Sequence, residues 1–117
     1  RAALDGALRL FGLDHQRTLM IAVNMANYEA AAGQGAAALQ RLRELEPLLQ
    51  KHFGAQGSIP AEVQRTYARA HEAEGDWQAA ALSWARALAI SEALLGPEHP
   101  KVADDRAHLE RVRQKRG

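Results

Sequence analysis

Arg86-Ala87-Leu88-Ala89-Ile90-Ser91-Glu92-Ala93-Leu94-Leu95-Gly96-Pro97-Glu98-His99-Pro100 is the stretch on which the fold turns. Up to Leu95 its apolar side chains fall at helical spacing. Gly96-Pro97 and Pro100 then stop the helix, because glycine accepts a left-handed backbone and proline lacks a donor. The Leu95-Gly96 pair has earlier counterparts: Phe53-Gly54 lies 42 residues before it, and Phe11-Gly12 a further 42 before that. Other positions keep the offset. Gly33 pairs with Gly75, Ala26 with Ala68 and Ala38 with Ala80; Met25, Tyr67 and Leu109 form a large apolar series, and His15 and His99 stand two periods apart. A fixed period of this length marks a chain built from one supersecondary unit, here present in just under three copies.

Each period reads as an αα-hairpin. From Gln16 to Ala32, Leu19, Met20, Val23, Met25, Ala26 and Ala30 recur at helical spacing, and Gly33-Gln34-Gly35 forms the turn. A second helix covers roughly Ala36 to Phe53. The next copy has Pro60 near its first helical turn, where the missing N–H costs nothing, a helix to Glu74, a Gly75-Asp76 turn and a partner helix from Trp77 to Leu95. An opening helix, about Ala2 to Phe11, and a closing one, about Lys101 to Gln114, lack partners. Pro47 predicts a kink or break near Glu46, because it removes the hydrogen bond to the Arg43 carbonyl; the alternative is a separate short helix from Leu48 to Phe53. The expected fold is all-α, with about six antiparallel helices.

Composition agrees and narrows the function. The 117 residues are 47% hydrophobic and 25% charged, which argues against disorder, and no run of roughly 18 apolar residues exists to cross a bilayer. The chain therefore reads as soluble and cytoplasmic. Aromatics are only 5% and alanine is the commonest residue, so the core must come from close helix approach over small side chains. Without cysteine there is no disulfide framework, thiolate zinc site or cysteine nucleophile. Fifteen Lys+Arg against 14 Asp+Glu leave a net charge of +1, too little to grip a polyanion. The chain opens on Arg1 with no signal segment, and we expect it to be a piece of a longer polypeptide.

The quoted residues resemble the tetratricopeptide (TPR) repeat in its long, 42-residue variety, found in kinesin light chains and many bacterial proteins. Leu95-Gly96-Pro97-Glu98-His99-Pro100 matches the start of such a repeat, Gly12-Leu13-Asp14-His15-Gln16 matches with Gln for Pro, Asn24-Met25-Ala26 matches its Asn-Leu-Ala box, and the stretch from Arg86 to Gly96 matches the end of its second helix. Departures include Gly57 in place of the initial histidine, Gln34-Gly35 in place of the turn written elsewhere as Asp76-Trp77, and Arg69 to His71 where a bulky aromatic is often found. The resemblance implies a right-handed αα-hairpin superhelix over residues 1–117. Residues 1–12 would be the trailing helix of a preceding repeat, 13–54 and 55–96 two repeats, and 97–117 a partial or capping one. Ala26, Ala38, Ala68, Ala80 and Ala87 would let helices approach, with Tyr67, Trp84 and Leu88 filling the gaps.

The first helices of stacked TPR copies line a concave groove that commonly takes peptide segments of other proteins. The resemblance places Met20, Asn24 and Asn27 there from the first copy, Glu62, Arg65, Thr66 and Arg69 from the second, and His108, Arg111 and Lys115 from the third. Asn24 stands out, because an amide both donates to and accepts from a peptide backbone; a solvated polar face is the plainer explanation. Arg65, Arg69, Arg111 and Lys115 offer a basic strip for an acidic peptide. A solvated, salt-bridged face is preferred for them, since Glu62 precedes Arg65 by three and Glu72 follows Arg69 by three. His15 and His99 read as helix caps.

Catalysis, cofactors and metals find no support. The histidines are dispersed, with no second His beyond His71-Glu72 to complete a zinc motif. Ser58, Ser83 and Ser91 lie in no nucleophile elbow, and Asp104 and Asp105 point to different sides of one helix. The basic run from Arg111 to Arg116 lacks the interleaved aromatics of a nucleic-acid site. The expectation is a non-catalytic protein-interaction module, bound through the groove or the open ends, with no nucleic-acid or membrane partner. The alternatives are the C-terminal regulatory or sensor segment of a larger bacterial enzyme, such as a serine/threonine protein kinase, or of a transcriptional regulator, and self-association through the terminal helices.

Overall fold

Glycine and histidine punctuate the chain in a computed structural model, which describes Gly12 and residues 15–116. Five α-helices follow one another: α1 Gln16–Ala31, α2 Gly35–Phe53, α3 Ser58–Ala73, α4 Trp77–Leu95 and α5 Pro100–Arg116. No strand occurs among the described residues, so the class is all-α. The expected opening helix from Ala2 to Phe11 lies outside the described residues.

The helix ends follow from local chemistry. His15 Nδ1 accepts from Arg17 N at 3.1 Å, and His99 Nδ1 accepts from Lys101 N at the same distance, so both imidazoles cap the helix that follows. Gly57 occupies the equivalent place before α3 with φ +123°, a backbone that a histidine would adopt only under strain. Asp76 caps α4 by accepting from Ala79 N at 3.2 Å. At the other ends, Gln34 N donates to Glu29 O at 2.7 Å and Asp76 N to His71 O at 2.9 Å, one period apart, each just after a glycine of positive φ.

Two expectations are corrected here. Gly35 is the first residue of α2, not part of the turn. Pro47 neither breaks α2 nor starts a new helix: α2 is continuous from Gly35 to Phe53. Pro47 and Arg43 are both exposed, so water can serve the carbonyl that proline leaves unpaired.

Antiparallel pairing is visible in the contacts. Arg41 on α2 binds Glu29 on α1 at 2.8 Å near their turn, while at the far end Gln16 Nε2 donates to His52 O at 3.4 Å. Likewise α4 runs back along α3, with Trp84 reaching Glu72 and Ser91 reaching Arg65, and α5 runs back along α4. Helix α3 also packs on α1 and α2.

Small residues set these approaches. Ala26, Ala38, Ala68, Ala80 and Ala87 are all fully buried. One core joins α1, α2 and α3 through Leu19, Val23, Leu42, Leu45, Leu49 and Tyr67; another joins α3, α4 and α5 around Trp84, Leu109 and Val112. Each such large side chain contributes about 1.5–3 kcal/mol by leaving water. No helix among the described residues is long and apolar enough to cross a membrane.

Candidate functional site

Helix α3 carries Glu62, Arg65, Arg69 and Glu72 at spacings of three and four, so they share one face, and that face looks toward α1 on one side and α5 on the other. One contact across it spans the 42-residue period of the sequence and two others fall close to it. Arg69 Nη1 donates to Asn27 Oδ1 at 3.1 Å over a separation of 42 residues; Arg65 meets Asp105 over 40, and Arg111 meets Glu72 over 39.

The innermost part is a closed ionic network. Arg65 Nε and Nη2 donate to Asp105 Oδ1 and Oδ2 at 2.7 and 2.9 Å, Nη2 also donates to Ser91 Oγ at 2.8 Å, and Ser91 donates on to Asp105 Oδ2 at 2.9 Å. Arg65 is 7% exposed and Asp105 2%. The bidentate bond to Asp105, stronger than the opposing burial, keeps the guanidinium charged. Thr66 is fully buried beside it and donates to the Glu62 carbonyl at 2.9 Å. Arg65 nevertheless lines the floor of a cleft together with Glu62, Arg69 and His108, whereas Thr66 is closed off inside the molecule.

Around this network lies an aromatic and charged layer. Trp84 is fully buried, donates its indole N–H to Glu72 Oε2 at 2.7 Å and stacks on His108 with ring centroids 4.3 Å apart and planes within 5°. Arg69 lies 5.5 Å from the same ring. Arg111 closes the layer by pairing with Glu72 at 2.8 Å. Glu72 thus pairs across helices, not with Arg69 on its own helix as the spacing predicts. Burial pushes the Glu72 carboxyl up, but the hydrogen bonds from Arg111 and Trp84 outweigh it and hold the group below its ordinary value.

Each remaining candidate has a definite place. Glu62 sits between Arg65, at 3.1 Å, and Arg69, at 3.5 Å. Lys115 lies 5.8 Å from the Trp77 ring. The basic strip expected for an acidic peptide is in this way divided: Arg65, Arg69 and Arg111 hold carboxylates of their own. Met20 and Asn24 are exposed on α1, and Asn24 makes no hydrogen bond to a described residue. Asn24, Asn27, Tyr28 and Ala31 line an open cleft of about 420 Å³, with Tyr28 79% exposed.

Sequence reasoning anticipated the pairing of Arg65 with Glu62, but missed Tyr28 and the other two partners of Arg65, Asp105 and Ser91. Tyr28 follows Asn24 by four and so shares its helix face, a signal that was present. Asp105 could be found only by pairing it with Arg65 across nearly one period. Among the described residues, no group of three His, Cys, Asp or Glu could hold a metal ion. No family model matches the chain, and no curated protein matches it.

Proposed function

We propose that this chain is a non-catalytic protein-interaction module of the TPR type, a right-handed stack of αα-hairpins that binds a segment of a partner protein along the face of α1. The observation that carries the reading is the uncommitted amide of Asn24, exposed beside the Asn27–Tyr28–Ala31 cleft. An amide with free donors and a free acceptor can pair with a peptide backbone in either direction, and an exposed tyrosine adds a large contact surface at low entropic cost. The near-period contacts between α1 and α3 and between α3 and α5 support the stacked-repeat reading, since hairpins in register bring equivalent positions together.

Because Arg65, Arg69 and Arg111 already hold carboxylates, the supported partner is a neutral segment read through its backbone rather than an acidic one. The test is capture from a cell lysate by the chain and by an Asn24→Ala, Tyr28→Ala variant of unchanged helicity. Loss of one bound protein from the variant alone supports the groove; equal retention by both overturns it.

A second reading, self-association, draws on the exposed Leu82, Leu94 and Leu95 of α4. Mass that rises with concentration, and returns to one chain in a Leu82→Glu, Leu94→Glu variant, supports it; one chain throughout overturns it.

A further inference from the structure

We propose that α5 is a proton-released helix: uptake of one proton by His108 loosens its docking on α3 and α4. The proposal rests on packing and holds whatever the α1 face binds.

The geometry assigns the imidazole its protonation state. Nδ1 of His108 lies 3.2 Å from Arg111 Nη2, and a guanidinium can only donate, so Nδ1 is the unprotonated nitrogen that accepts. A proton placed there abolishes the acceptor and sets two cations against each other. Its face stacks on Trp84, and the attraction of that ring for a cation is already shared with Arg69.

The surrounding charges do not rescue the cation. From α3, Arg69, Glu72, Glu62 and Arg65 face this layer; from α5 itself, Arg111, Asp105, Asp104 and Lys101 do; α4 contributes the uncharged Trp84. Glu72 is taken by Trp84 and Arg111, Asp105 by Arg65 and Ser91, and Glu62 by Arg65 and Arg69. Asp104 is exposed to water, which screens it. Burial first, then Arg111 and Arg69, accordingly hold the imidazole below its ordinary value of 6.5, against the weaker pull of Glu72 and Asp105. An imidazole depressed in the docked state binds its proton more tightly when released. Docking is therefore complete above about pH 6.5 and weakens as pH falls below it.

Topology makes the release local. Backbone contacts tie α5 to α4, whereas its links to α3 run through the side chains of Asp105 and Arg111. Helices α1, α2 and α3 have a core of their own. His71, which stacks on Tyr67, is also depressed by burial, so a global stability measurement would mix the two imidazoles.

The test follows hydrogen exchange of α5 amides in the full chain at pH 7.5 and pH 5.5, corrected for intrinsic rates, beside a direct nuclear magnetic resonance titration of His108. The expected result is a severalfold loss of protection at the lower pH in α5 with α2 unchanged, a His108 midpoint below 6.5, and no α5-specific loss in His108→Phe, which keeps an aromatic stack but takes no proton. Where His108→Phe folds poorly, His108→Gln serves instead, since its amide oxygen can still accept from Arg111. A His108 midpoint above 6.5, protection in α5 that does not change with pH, or the same loss in the non-titrating variant overturns the proposal.

Discussion

Arg65 and Asp105, 40 residues apart, meet through two hydrogen bonds of 2.7 and 2.9 Å inside the protein, and Ser91 bridges both. With no unpartnered buried side-chain N or O among the described residues, this network is complete. A complete ionic network ties α3, α4 and α5 into one arrangement, but its net stabilisation is small, because desolvation of both ions opposes their attraction.

Removing one member should therefore cost more than removing both. Asp105→Ala leaves the Arg65 guanidinium buried without its main partner, and we expect a loss of about 3–5 kcal/mol. Arg65→Met with Asp105→Leu should recover most of it. Urea denaturation of the single and double variants checks this, and a double variant no more stable than Asp105→Ala would refute it.

Gly35 is needed for space rather than for conformation. A Cβ built there would lie 2.5 Å from the Ala70 carbonyl oxygen and 2.9 Å from Glu74 Cγ. Alanine ordinarily favours a helix over glycine by about 0.5–1 kcal/mol. Here the obstructing atom is backbone, so overpacking of about 1–3 kcal/mol wins and Gly35→Ala should lower the melting temperature. Gly33→Ala meets open space but a φ of +82°, and should cost about 1–2 kcal/mol for that different reason. A Gly35→Ala protein that melts higher than the parent would show that α2 and α3 separate freely.

Beyond the loss that His108 and His71 bring as pH falls below 6.5, the pH profile of stability should have two further limbs with separate origins. Glu72 is depressed in the folded protein, so its contribution is full above the unfolded value near 4.5 and is lost as pH falls through the folded value. Tyr67 is raised, chiefly by burial and then by its 2.8 Å bond to Glu46, so its contribution is full below about pH 10 and is lost as pH rises through the folded value. Glu72→Gln should flatten the acid limb and Tyr67→Phe the alkaline one. Denaturation midpoints across the pH range decide it; an acid limb equally steep in Glu72→Gln would move its cause elsewhere.

These residues mark how far the sequence could be read. Period, turn glycines, small-residue seams and both histidine caps were legible because each depends on neighbours within a helix turn or on the repeat itself. Helix α4 has the expected bounds, Trp77–Leu95. The burial of Arg65 was not legible because helical spacing assigns a face without saying what opposes it; only the fold brings Asp105 there. The pairing of Glu72 failed for a related reason. Local i,i+3 attraction is worth a few tenths of a kcal/mol, and a cross-helix cation joined by the Trp84 N–H overrides it.

Pro47 is the remaining disagreement, and it has a measurable sign. Proline in a helix interior is about 3 kcal/mol worse than alanine, through the lost hydrogen bond and the clash with the preceding turn. Helix α2 nevertheless continues past it, held by Leu42, Leu45 and Leu49 on its buried side while Pro47 faces water. Packing thus carries the local penalty without removing it. Pro47→Ala deletes no buried contact and restores a donor toward the Arg43 carbonyl, against about 0.4–1 kcal/mol of added freedom in the unfolded chain. The net expectation is a gain of about 2 kcal/mol. Urea denaturation reads it directly. A Pro47→Ala protein less stable than the parent would mean that proline's fixed backbone helps set the register of α2 with α1 and α3.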